Sequence, residues 1–149
     1  MKKIFTIIAL TVLFNTNAQI DDNSSDVSAT GSFSVAMGYE TTASGYGSTA
    51  MGGGTTASGN YSTVMGDATT ASGVGSTAMG GGTTASGNYS TAMGGYTLAS
   101  GYASTAMGES TSASGYYSTV MGLNSKASDY GSLVIGQNNS SGSSVTNSA

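Results

Sequence analysis

The chain has no cysteine, histidine, tryptophan or proline among its 149 residues. Without cysteine there is no disulfide framework and no thiolate chemistry. Without histidine as well, the arrangements that activate a serine or cysteine nucleophile cannot be assembled. Basic residues number three, Lys2, Lys3 and Lys126. The first two lie in a leader-like start, so Lys126 alone then stands against seven acidic residues, a balance of −6. No basic patch is available to neutralise a phosphate backbone, which excludes nucleic acid as a partner. Long aliphatic residues are scarce beyond the first twenty positions, so a conventional thick core cannot be built.

What the chain does contain is a repeat. Ala-Ser-Gly-Tyr-Gly-Ser-Thr-Ala-Met-Gly-Gly-Gly-Thr-Thr, from Ala43 to Thr56, recurs every fourteen residues with small changes. Eight copies begin at Ala29, Ala43, Ala57, Ala71, Ala85, Ala99, Ala113 and Ala127. Gly, Ser, Thr and Ala at this density are compatible with disorder, but disorder requires composition and not register. The strict period therefore predicts an ordered, all-β solenoid. Glycines punctuate two short runs per unit, Ser48 to Gly52 and Thr55 to Gly59, each the length of a short strand. Positions between the runs vary (Tyr46-Gly47, Gly53-Gly54, Asn60-Tyr61, Asp67-Ala68), as turns do. A helix is excluded, since each glycine would cost about 1 kcal/mol relative to alanine. One unit is one coil of two parallel strands, and eight coils at roughly 4.8 Å stand about 38 Å tall.

Residues 1–18 read as a signal peptide: Met1-Lys2-Lys3, an apolar run from Ile4 to Phe14, and small residues before a cleavage point at Gln19. That run is too short for a bilayer-spanning helix, which needs ~20 residues. Export follows, to the cell surface, the outer membrane or the extracellular space. Residues 19–28 form a polar linker or N-terminal cap, 29–140 the eight-coil roll, and 141–149 a Ser/Asn-rich flexible tail. No further apolar span appears in the chain.

Strand alternation divides Ser48–Gly52 into an outer or inner pair, Thr49 and Met51, and an opposite set, Ser48, Ala50 and Gly52. A thin coil favours the small set inside, with Ala50 and Ala57 as core and Val64, Val120 and Val134 thickening it. Met37, Met51, Met65, Met79, Met93, Met107, Met121 and Ile135 then form an outer apolar ladder. Such a stripe drives association, and three chains closing into a ring would bury all three stripes. The opposite choice, Met inside and the small face outside, is equally compatible with residue size. Parity does not decide between them.

Catalytic and metal chemistry have few candidates. Glu40, Asp67 and Glu109 share the turn after Met-Gly but lie two or three coils apart, too far for an acid/base pair. The triple glycines lack the aspartate of calcium-binding rolls and the lysine of phosphate loops. The chain is thus read as a non-enzyme without metal or cofactor. Phe33, Tyr46, Tyr61, Tyr89, Tyr102, Tyr116, Tyr117 and Tyr130 all fall in the turn after Ala-Ser-Gly, which reads Ala-Thr-Gly before Phe33 and Ala-Ser-Asp before Tyr130. They form either an adhesive edge for glycan or protein, or an aromatic ladder that stacks along the roll or against a neighbouring chain. A separate ladder of hydroxyls, Thr42/Ser44, Thr56/Ser58, Thr70/Ser72 and Thr84/Ser86, suits an ice-binding face, but degrades to Leu98, Ser112 and Lys126.

Ser-Val-Ala-Met-Gly at Ser34–Gly38, Ser-Thr-Ala-Met-Gly at Ser48–Gly52 and its later copies, and the interleaved Ala-Ser-Gly resemble the head repeats of trimeric autotransporter adhesins. These are the YadA-like, Hep_Hag-type haemagglutinin repeats, and the resemblance runs from Ala29 to Ser140. It implies a left-handed parallel β-roll, association into a homotrimer through the Met51-type positions, and adhesion to extracellular matrix or host surfaces. Thr49, Thr63, Thr77, Thr91, Thr105 and Thr119 occupy a slot that is commonly Val in that family. The family's neck, coiled-coil stalk and membrane barrel do not follow Ile135, which makes the chain a head segment or a secreted or fibre-type relative.

Overall fold

A computed structural model describes residues 18–20 and 26–141. Every regular element among them is a β-strand, and every strand pairing is parallel. The expected leader falls outside the described residues except for Ala18, as does the tail beyond residue 141.

Each fourteen-residue unit makes one turn of a solenoid. A five-residue strand and a two-residue strand alternate: β3 (Val35–Tyr39), β4 (Thr42–Ala43), β5 (Thr49–Gly53), β6 (Thr56–Ala57), and so on to β17 (Leu133–Gln137). The long strands form one nine-stranded sheet, begun by β1 (Ala18–Ile20), and the short strands form one eight-stranded sheet, begun by β2 (Ser28–Ala29). From β3 onward each residue pairs with its equivalent fourteen positions away, so that Ala50 meets Ala36 and Val64, and Met51 meets Met37 and Met65. The stacked parallel solenoid expected from the period is the architecture found. The second run is shorter than its sequence suggested, because the chain bends at Ser58-Gly59 directly after Ala57.

The small residues fill the interior. Ala36, Ala50, Ala78, Ala92 and Ala106 from the long strands face Ala43, Ala57, Ala71, Ala85 and Ala99 from the short ones, all fully buried. Val64 and Val120 occupy the same slot as Ala50 and are equally buried. Between these columns run two columns of hydroxyls, the Ser48-type and Thr55-type residues, also buried. Ser76 and Ser118 donate to the carbonyls of Gly73 and Gly115 at 2.7 and 2.8 Å. Others, including Ser48, Thr55 and Thr69, leave a buried hydroxyl without a partner. A lone buried hydroxyl costs about 1–3 kcal/mol, so these positions are selected for size rather than polarity. The largest side chains the interior holds are the valines Val64 and Val120.

Backbone bonds between coils carry the stack. Thr42 N–H donates to Thr55 C=O at 2.8 Å, Thr49 N–H to Ser62 C=O at 2.9 Å, and Ser44 N–H to Ala57 C=O at 2.9 Å. The corners are tied as well, Tyr61 N–H donating to Tyr46 C=O at 2.7 Å and Ala68 N–H to Gly53 C=O at 2.8 Å. Two glycines per coil, the Gly59 and Gly66 types, are fixed by this contact. Gly66 has φ +129°, and a Cβ there would be driven into the carbonyl of Gly80. The positive φ also turns this residue outward, against strict alternation. After the last long strand the chain closes over itself. Asn139 Nδ2 donates to Ile135 C=O at 2.5 Å, where in other coils the next coil would bond.

Gly66→Ala should therefore lower stability by on the order of 3 kcal/mol, as overpacking adds to backbone strain. Gly81→Ala, where an added Cβ meets nothing and φ is ordinary, should be neutral or slightly stabilising. Urea unfolding midpoints of the two variants check the contrast.

Candidate functional site

The molecule presents three regular surfaces, each set by the position of a residue within the coil. The first is the outer face of the long-strand sheet. With Ala50 turned inward, alternation turns Thr49 and Met51 outward, and the in-register pairing lines the methionines up. Met37, Met51, Met65, Met79, Met93, Met107 and Met121 run in a single row ending at Ile135. Each Met is half-buried between its neighbours above and below, while the terminal Ile135 is 60 % exposed. Of the two parities left open by the sequence, this is the one with sulfur outside and alanine inside.

The second surface is the corner before each long strand. Gly45 C=O accepts from Ser48 N–H at 3.2 Å, closing a four-residue turn whose third residue has positive φ. The aromatics of this corner come together as a ladder along the roll. Phe33, Tyr46 and Tyr61 make edge-to-face contacts at centroid separations of 5.4 Å. Tyr89, Tyr102, Tyr117 and Tyr130 continue it at 5.5–5.6 Å, and Tyr116 lies tilted against Tyr102 at 6.1 Å. Val74 interrupts the series between Tyr61 and Tyr89. Stacking along the roll, one of the two readings of these residues, is thus present, and the rings remain exposed on their outer side.

Several ladder residues are held in the left-handed region: Phe33 at φ 59° and Tyr61, Tyr89 and Tyr117 at 58°. That conformation costs an L-residue roughly 1–2 kcal/mol. Room for the Tyr61 and Tyr89 rings comes from a glycine one coil earlier. A Cβ on Gly47 would stand 3.1 Å from the Tyr61 ring, and one on Gly75 would stand 3.0 Å from the Tyr89 ring. The same pairing occurs at the opposite corner, where Tyr96 lies over Gly82. Tyr96 and Tyr39 are exposed aromatics of that corner which a search confined to Ala-Ser-Gly turns misses. The signal for Tyr96 was the aromatic-over-glycine pair at fourteen-residue separation. Tyr39 also neighbours Glu40, whose carboxylate accepts its hydroxyl and whose charge raises its pKa above the ordinary phenol value.

The third surface is the outer face of the short-strand sheet. Thr42, Thr56, Thr70 and Thr84 stand in register, half-exposed, beside exposed Ser44, Ser58, Ser72 and Ser86. Exposed Leu98 and Lys126 break this row, with Ser112 between them. Glu40, Asp67 and Glu109 project at separate coils of the second corner, and no group of three potential metal ligands occurs among the described residues. No helix among the described residues is long and apolar enough to cross a membrane.

The model of the YadA head domain repeat, in two-copy form, matches residues 29–55, 43–69, 71–97, 99–125 and 113–139. The chain belongs to the YadA head domain repeat family, a family of adhesin-type, surface-exposed and generally non-enzymatic heads. No curated protein matches the sequence as a relative.

Edge-to-face pairs contribute about 0.5–1.5 kcal/mol each beyond the area they bury. Tyr102→Ala removes ring contacts to Tyr89, Tyr116 and Tyr117, whereas Tyr130→Ala removes one. The first should lower the thermal midpoint by several degrees more than the second, as read by circular dichroism.

Proposed function

We propose that the chain is the head of an exported adhesin, in which three copies close around their methionine faces and present the corners to an extracellular protein or glycan. The observation that carries the reading is the row of Met37 to Met121 and Ile135 on the outside of a roll too narrow to contain it. Full burial of a methionine is worth ~1.5–3 kcal/mol, and these are already about two-thirds covered or more, so each rung offers at most ~0.5–1 kcal/mol. Eight rungs give at most ~4–8 kcal/mol per chain, at the low end of the ~4–15 kcal/mol cost of association. A closed ring of three covers all three stripes at once, and a trimer is the assembly typical of the family the chain belongs to. The threonines beside each methionine pack at the margin of this contact, where Val would add further apolar area.

Export rests on the leader at residues 1–18, with release before Gln19. Release at that point removes Ala18 from strand β1 and leaves Gln19 and Ile20 paired with Ala36 and Met37 at the new terminus. Adhesion needs neither a catalytic group nor a cofactor, in keeping with the scattered carboxylates and the missing histidine. The surface of the head is acidic overall, which disfavours anionic partners.

Met79→Asp combined with Met93→Asp places charges in the middle of the stripe without touching the interior of the roll. The native chain should run as a trimer by light scattering, and the double variant as a folded monomer with unchanged β-sheet circular dichroism. A native mass already monomeric, or a trimeric mass that survives both substitutions, overturns this assembly.

A further inference from the structure

The aromatic edge has a longer period than the coil. Phe33, Tyr61, Tyr89 and Tyr117 fall 28 residues apart, all in the same left-handed slot. In the coils between them that slot holds Gly47, Gly75, Ala103 and Gly131, and the aromatic, where present, moves one position earlier. Of those earlier rings, Tyr46 and Tyr102 stand at 75–78° to their left-handed-slot neighbours and are 44 and 37 % exposed. The 28-residue series is 51–62 % exposed, and Tyr116 and Tyr130 in the last two coils, at 60 and 77 %, add outer rings there. From Phe33 to Tyr102 the edge is therefore a row of outer rings in one conformation, propped by inner rings, with one outer ring every second coil. At about 4.8 Å per coil the outer rings repeat at roughly 9.6 Å.

Support of the stack does not account for this arrangement. Glycine would occupy the left-handed slot without strain, as it does in three of the four alternate coils, yet all four odd coils place an aromatic there. Phe33 shares the slot, so the common property is the ring face rather than a phenolic hydroxyl. Polar donors accompany it. Asn60 and Asn88 each use Oδ1 to accept a corner N–H of the preceding coil, from Tyr46 and Val74 at 3.0 Å. Their Nδ2 groups remain at the exposed surface beside Tyr61 and Tyr89.

We propose that this edge binds a neutral, linear, equatorially linked polysaccharide of the β-1,4 type, lying along the roll axis. In such a chain successive sugars are turned over, so the same C–H face returns at every second sugar, close to the interval of the outer rings. Alternate sugars stack on Tyr61, Tyr89 and Tyr117, and the asparagine amides donate to hydroxyls at the sugar rims. A periodic ligand fits a periodic row, whereas an irregular protein surface gains nothing from it. Sulfated or uronic glycans and single-stranded nucleic acids also present stacking faces, but they require cations that this edge lacks. The inference rests on the reading of the chain as an adhesive head and names the ligand of one of its edges.

The test is depletion of the full-length exported chain from solution by insoluble cellulose and by chitin, with amylose resin as the α-linked, curled control. Retention on at least one β-1,4 polymer and none on amylose is expected. Combining Tyr61→Ala, Tyr89→Ala and Tyr117→Ala should weaken retention at least tenfold at unchanged oligomeric mass. The corresponding triple Tyr→Phe variant keeps the ring faces and should bind as the native chain does. Absence of retention on both β-1,4 polymers overturns the proposal, as does retention indifferent to the Ala variant or a failure of the Phe variant. A change of oligomeric mass in the Ala variant also overturns it, by assigning the edge to a contact between chains. If the native chain ignores both polymers but still coats extracellular-matrix protein, this ligand fails and the adhesive-head reading stands.

Discussion

The register of the backbone ladder governs this molecule. Coils stacked through Thr42-to-Thr55 and Thr49-to-Ser62 bonds bring equivalent residues to the separation of neighbouring strands. Every position therefore meets its own kind above and below, and one local choice is repeated into a surface. An alanine becomes a core column, a methionine a stripe and a tyrosine a ladder. The constraint is strictest where backbone approaches backbone, as at Gly66 beneath Gly80, where even a methyl group has no room.

Narrowness follows from the same ladder. Five residues and two residues per coil leave an interior one or two side chains wide, and that space is taken by Ala50, Ala57, Ser48 and Thr55. A core of this kind supplies little apolar burial per residue, and several of its hydroxyls lack partners. The compensation is that almost every coil bonds two others along both strands and corners. Further apolar surface lies outside, on the methionine row and the aromatic edge, and in the proposed trimer sister chains cover the first of these while each roll folds on its own.

Much of this was legible in the sequence, because period and glycine placement are backbone statements. Fourteen residues with two glycine-marked corners defined the coil, and the parallel in-register pairing followed. The length of the second strand was less legible, since Thr55–Gly59 looks as regular as Ser48–Gly52 but bends after Ala57. The facing of Met51 was ambiguous in principle, as alternation yields two opposite sets without labelling the inner one. Only the size of the coil cross-section decides it, and that is a tertiary quantity. Tyr96 and the two-coil alternation of the edge escaped because rings and the glycines that accommodate them are fourteen residues apart, a neighbour relation that exists only once the coils are stacked.

The central claim is that the thioethers lie outside a roll that cannot hold them and are covered by sister chains. Methionine oxidation by dilute peroxide, followed rung by rung by mass spectrometry across a range of protein concentrations, tests it most directly. The account predicts that Met51 to Met107 are protected in the assembled protein and react readily on dilution below the association threshold. Protection that persists at every concentration would place the sulfur atoms within a single roll, and ready oxidation at every concentration would mean that nothing covers them. Either result would contradict the account.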